Sequence, residues 1–341
     1  MGTAERKNAM TKCCVIGCGV ISPNHLKPLS EMENVTLAGV CDVIAERAEK
    51  RAAEYGCPAF TDYREMIETV KPDAVHLCLP HALHSPIAID CLERGIAVLS
   101  EKPMDAHLAG AQAMWDAHLR TGTKLGVIFQ NVYNSGSRFA LEAIKSGRLG
   151  KLISLAARVL WRRDEQYYAD GTWRRDYSSA GGGVIINQAI HTLDLERRLA
   201  GAPVKEVRAT VSHHGETTAE VEDTAEGLIL FENGVKGLFY FSINNAYDDE
   251  IVLSAHLEGG DLTVTGGRCR IRTKDGTEET DEGSSATFCG AKAVYGTGHA
   301  EQIARFYEED GEKAVEETAL EALLTQKLIF DIFTSAGIAV K

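Results

Sequence analysis

Cys13-Cys14-Val15-Ile16-Gly17-Cys18-Gly19-Val20-Ile21-Ser22 is the stretch on which the fold turns. Its first four residues form a short apolar run that reads as a buried strand. Gly17 and Gly19 permit a tight turn and close approach of a ligand to the backbone, and Ser22 is a small residue where a third glycine could stand. The helix that follows offers free N–H groups and a favourable dipole at its N-terminus, the two features that hold a pyrophosphate. Pro23 suits a first helical turn, whereas Pro28 predicts a short or kinked helix. A glycine motif of this kind is weak evidence alone, and its surroundings decide its meaning.

Moving outward, a second strand, Thr36 to Cys41, ends in Asp42, twenty residues after Ser22. A carboxylate there accepts hydrogen bonds from adenosine ribose hydroxyls and repels a 2′-phosphate, so NAD is expected rather than NADP. Helices are predicted over Val43 to Tyr55, Tyr63 to Val70 and His84 to Arg94, with another capped by Asp105 and ending near Gly122. Strands are predicted at Ala74 to Leu79, Ile96 to Ser100 and Lys124 to Phe129. Apolar strands alternating with amphipathic helices imply a doubly wound parallel sheet, whose ligands lie beyond the carboxyl ends of its strands. The candidate cofactor contacts all fall near those ends: Gly17, Gly19, Val20, Ile21, Asp42, Arg47, Leu79, Pro80, His81, His84, Glu101, Lys102 and Gln130.

Composition bounds the rest. A chain of 341 residues exceeds one ordinary core and suggests two domains. Residues 1–12 read as a disordered lead-in without an apolar signal core, and no apolar run is long enough to span a bilayer. A net charge of -13 argues against nucleic acid as a partner. Nine cysteines, an odd number, sit mostly in apolar strand-like runs, which points to reduced thiols and a cytoplasmic setting. No cysteine or histidine spacing matches a metal site, so no metal is expected.

A second informative stretch runs from Gly181 to Asp194. Three glycines precede a segment with helical spacing, in which Ile186, Ile190 and Leu193 share one face. Asn187 and His191 are four apart and share another, and Asp194 is placed to reach the imidazole. The bland reading is a buried helix with an ordinary histidine. The functional reading is a general base beside a glycine-lined entrance.

Taken together, the glycine turn, Leu79-Pro80-His81-Ala82-Leu83-His84, Glu101-Lys102-Pro103 and Gly181 to Asp194 make the chain resemble the Gfo/Idh/MocA oxidoreductases over nearly its whole length. The resemblance implies a lysine, here Lys102, beside the reacting hydroxyl and the nicotinamide, and an acid/base histidine, here His191. Many members carry an aspartate one turn earlier, and this chain has Asn187 there. It also implies a Rossmann domain over residues 13–132 and an α+β domain over residues 133–341. The second domain's large, open-faced, mainly antiparallel sheet would bind substrate and build a homodimer or homotetramer.

The second half fits that outline. Strand-like runs cover Leu152 to Trp161, Val204 to Ser212, Glu226 to Phe231, Val235 to Ile243, Ile251 to Leu257, Leu262 to Thr265 and Cys269 to Arg272. Glu232-Asn233-Gly234 is a hairpin signal. Helices are expected at Arg138 to Lys145, Ala300 to Glu309 and Ala319 to Ala336. A loop rich in Arg, Tyr and Trp supplies candidate substrate contacts in Arg163, Tyr168, Trp173 and Arg174, joined by Asn187 and His191. The cluster Tyr295 to His299 reads as a helix cap. The expected activity is NAD-dependent oxidation of a secondary hydroxyl on a sugar, glycoside or cyclic polyol. The alternatives are redox-neutral glycoside elimination or hydrolysis with tightly bound NAD, and a non-catalytic NAD-binding regulator.

Overall fold

A computed structural model describes residues 10–169, 171–215, 217–283, 298–308 and 311–339. Most of the expected lead-in, residues 1–9, lies outside the described residues, and the first strand already begins at Thr11. Six parallel strands form the first sheet: β1 (Thr11–Ile16), β2 (Val35–Cys41), β3 (Ala59–Phe60), β4 (Ala74–Leu77), β5 (Ala97–Ser100) and β6 (Leu125–Val127). Their order is β3-β2-β1-β4-β5-β6. Winding reverses between β1 and β4, which opens a crevice at their carboxyl ends. All four residues of β4 and all three of β6 are buried, as in a parallel sheet covered on both faces. The two-residue strand β3 is too short to show in a hydrophobic pattern. The helix Pro23–Glu31 runs through Pro28 and is nine residues long.

The second sheet holds β7 (Leu152–Leu160), β8 (Val204–Ser212), β9 (Thr224–Phe231), β10 (Lys236–Ser242), β11 (Val252–Leu257), β12 (Gly260–Thr265), β13 (Arg268–Thr273) and β14 (Glu278–Asp281). Its order is β14-β13-β12-β11-β7-β10-β9-β8, antiparallel except where β10 pairs with β7. The Asn233-Gly234 turn joins β9 to β10. In β10, Gly237, Phe239 and Phe241 are buried, while Lys236, Leu238 and Tyr240 are exposed. This period of two gives the sheet one face on the core and one facing outward. Strand β14 is wholly polar, so it carries no apolar signal in the sequence.

One apolar cluster joins the two sheets, running from Leu77 and Phe129 through Ile186 to Phe231 and Phe333. The long helix Gly311–Ser335 packs against β6 of the first sheet and β8 of the second. The helix Gly298–Phe306 packs on Pro23–Glu31 and on the short turn Gln130–Tyr133. The C-terminal segment thus returns to the first sheet. Among the described residues no helix is long and apolar enough to cross a membrane.

Candidate active site

The cofactor end forms where β1 stops. Gly17 has φ +97°, and a Cβ there would lie 2.2 Å from the carbonyl oxygen of Cys78. Only glycine fits so close to the chain leaving β4. A Cβ on Gly19 would meet nothing within 4 Å, so this part of the turn faces open space. Ser22 Oγ donates to the Gly19 carbonyl at 2.8 Å and closes the turn. Asp42 ties the turn to β2: Oδ2 accepts the Cys18 N–H at 2.8 Å and Oδ1 the Ile44 N–H at 2.9 Å. Each oxygen keeps a lone pair for a ribose hydroxyl. Val20 and Arg47 are exposed beside this crevice, and Ile21 is half-buried. An open glycine edge, a helix N-terminus and one carboxylate fit a dinucleotide without a 2′-phosphate. We expect Asp42→Ala to lower the NAD-over-NADP preference by about tenfold or more, one ribose interaction being worth about 1–2 kcal/mol. An unchanged ratio of dissociation constants would place selection on another residue.

Further along the crevice, β5 leads into Glu101-Lys102-Pro103, with a cis peptide between Lys102 and Pro103. Lys102 Nζ donates to the Asn187 carbonyl at 2.9 Å. The sequence places His84 among the candidate cofactor contacts. Instead it is buried, and its ring nitrogens meet the carbonyls of Pro103 (2.6 Å) and Leu79 (2.8 Å), bracing the triplet from behind. His81 Nδ1 donates to the Ala180 carbonyl at 2.7 Å, and its ring meets Trp173 edge-on at 4.6 Å. Leu79 and Pro80 lie half-buried at the end of β4. The buried Oε1 of Gln130 has no hydrogen-bond partner among the described residues.

The stretch after the three glycines departs from the regular helix expected of it. Val184–Ala189 is a π-helix, and the α-helix begins only at Ile190 and runs to Ala200. Its entrance is clamped by Glu222, which accepts the N–H groups of Gly183 (2.9 Å) and Ile185 (3.1 Å). A Cβ on Gly183 would fall 1.9 Å from the Glu222 carbonyl oxygen. Burial pushes the Glu222 carboxyl up to about 7. The widened turn, a feature common at functional sites, contains the carbonyl that receives Lys102.

Asp194 does not serve the imidazole. Its oxygens are taken by Thr325 Oγ1, which donates at 2.6 Å, and Arg198 Nε, which donates at 2.7 Å. His191 is buried, meets Phe129 edge-on at 5.5 Å, and has an Nδ1 without a partner among the described residues. Burial, and then the charge of Lys102, hold its proton affinity well below that of a free histidine. Burial, with Arg174 adding to it and Glu101 opposing, lowers Lys102 to about 8.

The Arg/Tyr/Trp loop folds over this pair. Arg163 lies over the rings of Trp161 (4.9 Å) and Tyr167 (5.5 Å) and pairs with Asp248 at 3.0 Å. Arg174 lies over Tyr167 (4.7 Å) and Trp173 (5.0 Å). The Tyr167 hydroxyl accepts from Asn187 Nδ2 (3.1 Å) and Gln188 Nε2 (2.7 Å). Tyr168, the expected contact, is 2% exposed and packs in the core. The two tyrosines are successive residues of the short helix Glu165–Ala169, so they point about 100° apart, and Tyr167 takes the site. A cavity of about 350 Å³ opens beside His191, with Asn131, Asn134, Trp161, Arg163, Asp248 and Thr265 in its wall. Asn131 follows Gln130 at the predicted end of a strand, whereas Asn134 and Asp248 carry no motif of their own, and only the fold gathers them here.

Residues 11–129 match the model of the oxidoreductase family with an NAD-binding Rossmann fold, GFO_IDH_MocA, and residues 138–277 match the C-terminal domain of the same family. The chain belongs to the Gfo/Idh/MocA family. The D-glucoside 3-dehydrogenase of Escherichia coli is 29% identical to this family member over 248 residues, 67% of this chain and 70% of that one. The 1,5-anhydro-D-fructose reductase of Ensifer adhaerens is 30% identical over 232 residues, 68% and 69% of the two chains. Among solved structures, the WlbA dehydrogenase of Bordetella pertussis, in complex with NADH and UDP-GlcNAcA, superposes with a TM-score of 0.81 at 26% identity over 96% of this chain and 97% of that one. Like its relatives, this Gfo/Idh/MocA protein is a nicotinamide-dependent oxidoreductase acting on CH–OH groups, and its Rossmann domain binds NAD.

Proposed function

We propose that this protein oxidises a secondary hydroxyl of a sugar, glycoside or cyclic polyol, or reduces the matching ketone. The observation that carries this reading is the Lys102 hydrogen bond to the Asn187 carbonyl, one turn before His191 and near enough to depress its proton affinity, with the Tyr167 hydroxyl holding the Asn187 and Gln188 side chains. Bound NAD supplies the hydride acceptor. Oxidation also requires the hydroxyl proton to leave. Lys102, held near 8 in a half-buried setting, is matched to take that proton close to neutral pH and to stabilise developing alkoxide in its charged form. His191, kept neutral by burial, orients the hydroxyl through a ring nitrogen. The sequence alone points to His191 as the base, but burial and the neighbouring Lys102 charge depress its proton affinity and favour Lys102 in that role. The Arg163, Trp173 and Arg174 side chains supply stacking and N–H donors for a hydroxylated ring.

The test is nicotinamide absorbance with added NAD across inositols, free sugars, glycosides and nucleotide sugars. NADH is expected with one of these classes. Turnover of a glycoside without net NADH would favour the redox-neutral reading, and NAD binding with no turnover would favour a regulator. We further infer a cytoplasmic homo-oligomer, with no nucleic-acid partner, assembled through the outward sheet face that exposes Ile153, Leu238 and Tyr240. We take residues 13–132 and 133–341 as its cofactor and substrate domains.

A further inference from the structure

Glu101 is buried, yet it is gripped from three directions. His25 Nε2, on the helix Pro23–Glu31, and His299 Nε2, on the helix Gly298–Phe306, each lie 3.1 Å from Oε1. The Lys102 backbone N–H reaches Oε2 at 3.2 Å. An ionised carboxylate only accepts, so both rings donate. Behind His25 the chain of bonds continues: its Nδ1 is 2.8 Å from His76 Nδ1, and His76 Nε2 is 2.9 Å from the Tyr307 hydroxyl. With both rings neutral, a single assignment satisfies every atom. Tyr307 donates to His76, His76 to His25, and His25 to Glu101. All donors then point toward the carboxylate. Nothing in the proposed chemistry uses these side chains, and the fold brings them together from sites 51 to 231 residues apart.

We propose that His25 and His299 are positioning residues that keep Glu101 an anion beside Lys102 and His191, so that the lysine retains its proton in a pocket that would otherwise strip it. Burial alone would protonate Glu101, and the hydrogen bonds from His25 and His299 overcome it and hold the carboxyl well below its ordinary range. The resulting charge opposes desolvation at both Lys102 and His191. The other groups facing this anion are His76 and Cys78 at the end of β4 and His84. Arg174 and His81 also act on Lys102 or feel its charge, and Arg174 pushes its proton off. Among these groups the attraction holding the proton on Lys102 comes from Glu101.

The proposal rests on Lys102 acting in proton transfer, and the test separates the two. The first measurement is the pH profile of kcat/KM for oxidation in the full chain. In the wild type the acid limb belongs to Lys102. His299→Leu removes one donor and is expected to move that limb to lower pH by about one unit or more, and Glu101→Gln by at least as much. His299→Gln still offers an N–H and is expected to restore the wild-type limb. The second measurement needs no substrate: competitive acetylation of Lys102 by acetic anhydride across about pH 6 to 10, read by peptide mass spectrometry, is expected to show the same shift. A midpoint for Lys102 labelling that is unmoved in His299→Leu overturns the proposal even if no substrate is found. A moved midpoint with an unmoved kinetic limb leaves it standing and removes Lys102 from the chemistry. One side-chain nitrogen or oxygen from each of His25, Glu101 and His299 lies within 4.8 Å of the others. A stoichiometric metal in the purified protein, lost with activity on chelation, would also overturn the proposal by giving the cluster another purpose.

Discussion

Lys102→Met is expected to lower kcat/KM for alcohol oxidation at pH 8 by about 10³-fold or more, with little change in thermal stability. Two effects are lost together. A donor aimed at a developing alkoxide is worth about 10²–10³ in rate. A well-placed acid/base group contributes about 10²–10⁴, and because one side chain serves both purposes the losses do not simply multiply. Methionine keeps much of the apolar stem, so the change is mainly one of charge. In the wild type, oxidation requires the neutral amine. The rate therefore rises with pH through about 8, and reduction, which requires the ammonium form, falls through the same range. The measurement is steady-state kcat/KM against pH for Lys102→Met and for His191→Gln. His191→Gln is expected to be slow but to keep the limb near 8. Loss of that limb in His191→Gln, with Lys102→Met less than tenfold impaired, would return the base role to His191.

Glu196→Gln is expected to make the protein markedly more stable at alkaline pH. Glu196 is fully buried on the helix Ile190–Ala200, and neither carboxyl oxygen has a hydrogen-bond partner among the described residues. Its Oε1 sits 2.6 Å from where a Cβ on Gly237 of β10 would be, so the glycine makes the space it fills. Burial pushes the carboxyl from 4.5 to about 8. The folded state therefore keeps a proton that the unfolded chain releases above about 4.5. Stability falls as pH rises between these values and levels off once both states are ionised. A displacement of this size corresponds to on the order of 5 kcal/mol at pH 8. The glutamine variant cannot ionise and is expected to lose this slope. Denaturant unfolding of both proteins at pH 5 and pH 8 checks it. Parallel pH dependence in wild type and variant would show that Glu196 is solvated or paired in solution.

These two residues also show where sequence reading reaches its limit. Lys102 is visible in the sequence because it lies in a triplet at the predicted end of a strand, and strand ends are where an open parallel sheet binds its ligands. Glu196 is invisible, since a glutamate in a helix reads as a solvated face and only the packing of that helix against Gly237 buries it. The contrast between Tyr167 and Tyr168 is of the same kind. Composition marks the loop as aromatic and basic, but which of two adjacent tyrosines faces the site depends on the register of a five-residue helix.

Short-range patterns, by themselves, determined the architecture and the cofactor crevice. Gly17, Gly19, Ser22 and Asp42 act over about thirty residues, within a single βαβ unit whose geometry is dictated by chirality and the need to bury apolar strands. The alternation of strands and helices, followed by runs of strands, likewise set the two-sheet plan. The tertiary structure alone decided the arrangement of the chemistry. It gave Asp194 to Thr325 and Arg198, widened the helix at Asn187 to receive Lys102, and closed His25 and His299 on Glu101 across 76 and 198 residues of chain. The physical reason is that burial, which sets both the cost of a charge and the partners within reach of it, is a property of the packed molecule and has no local signature in the chain.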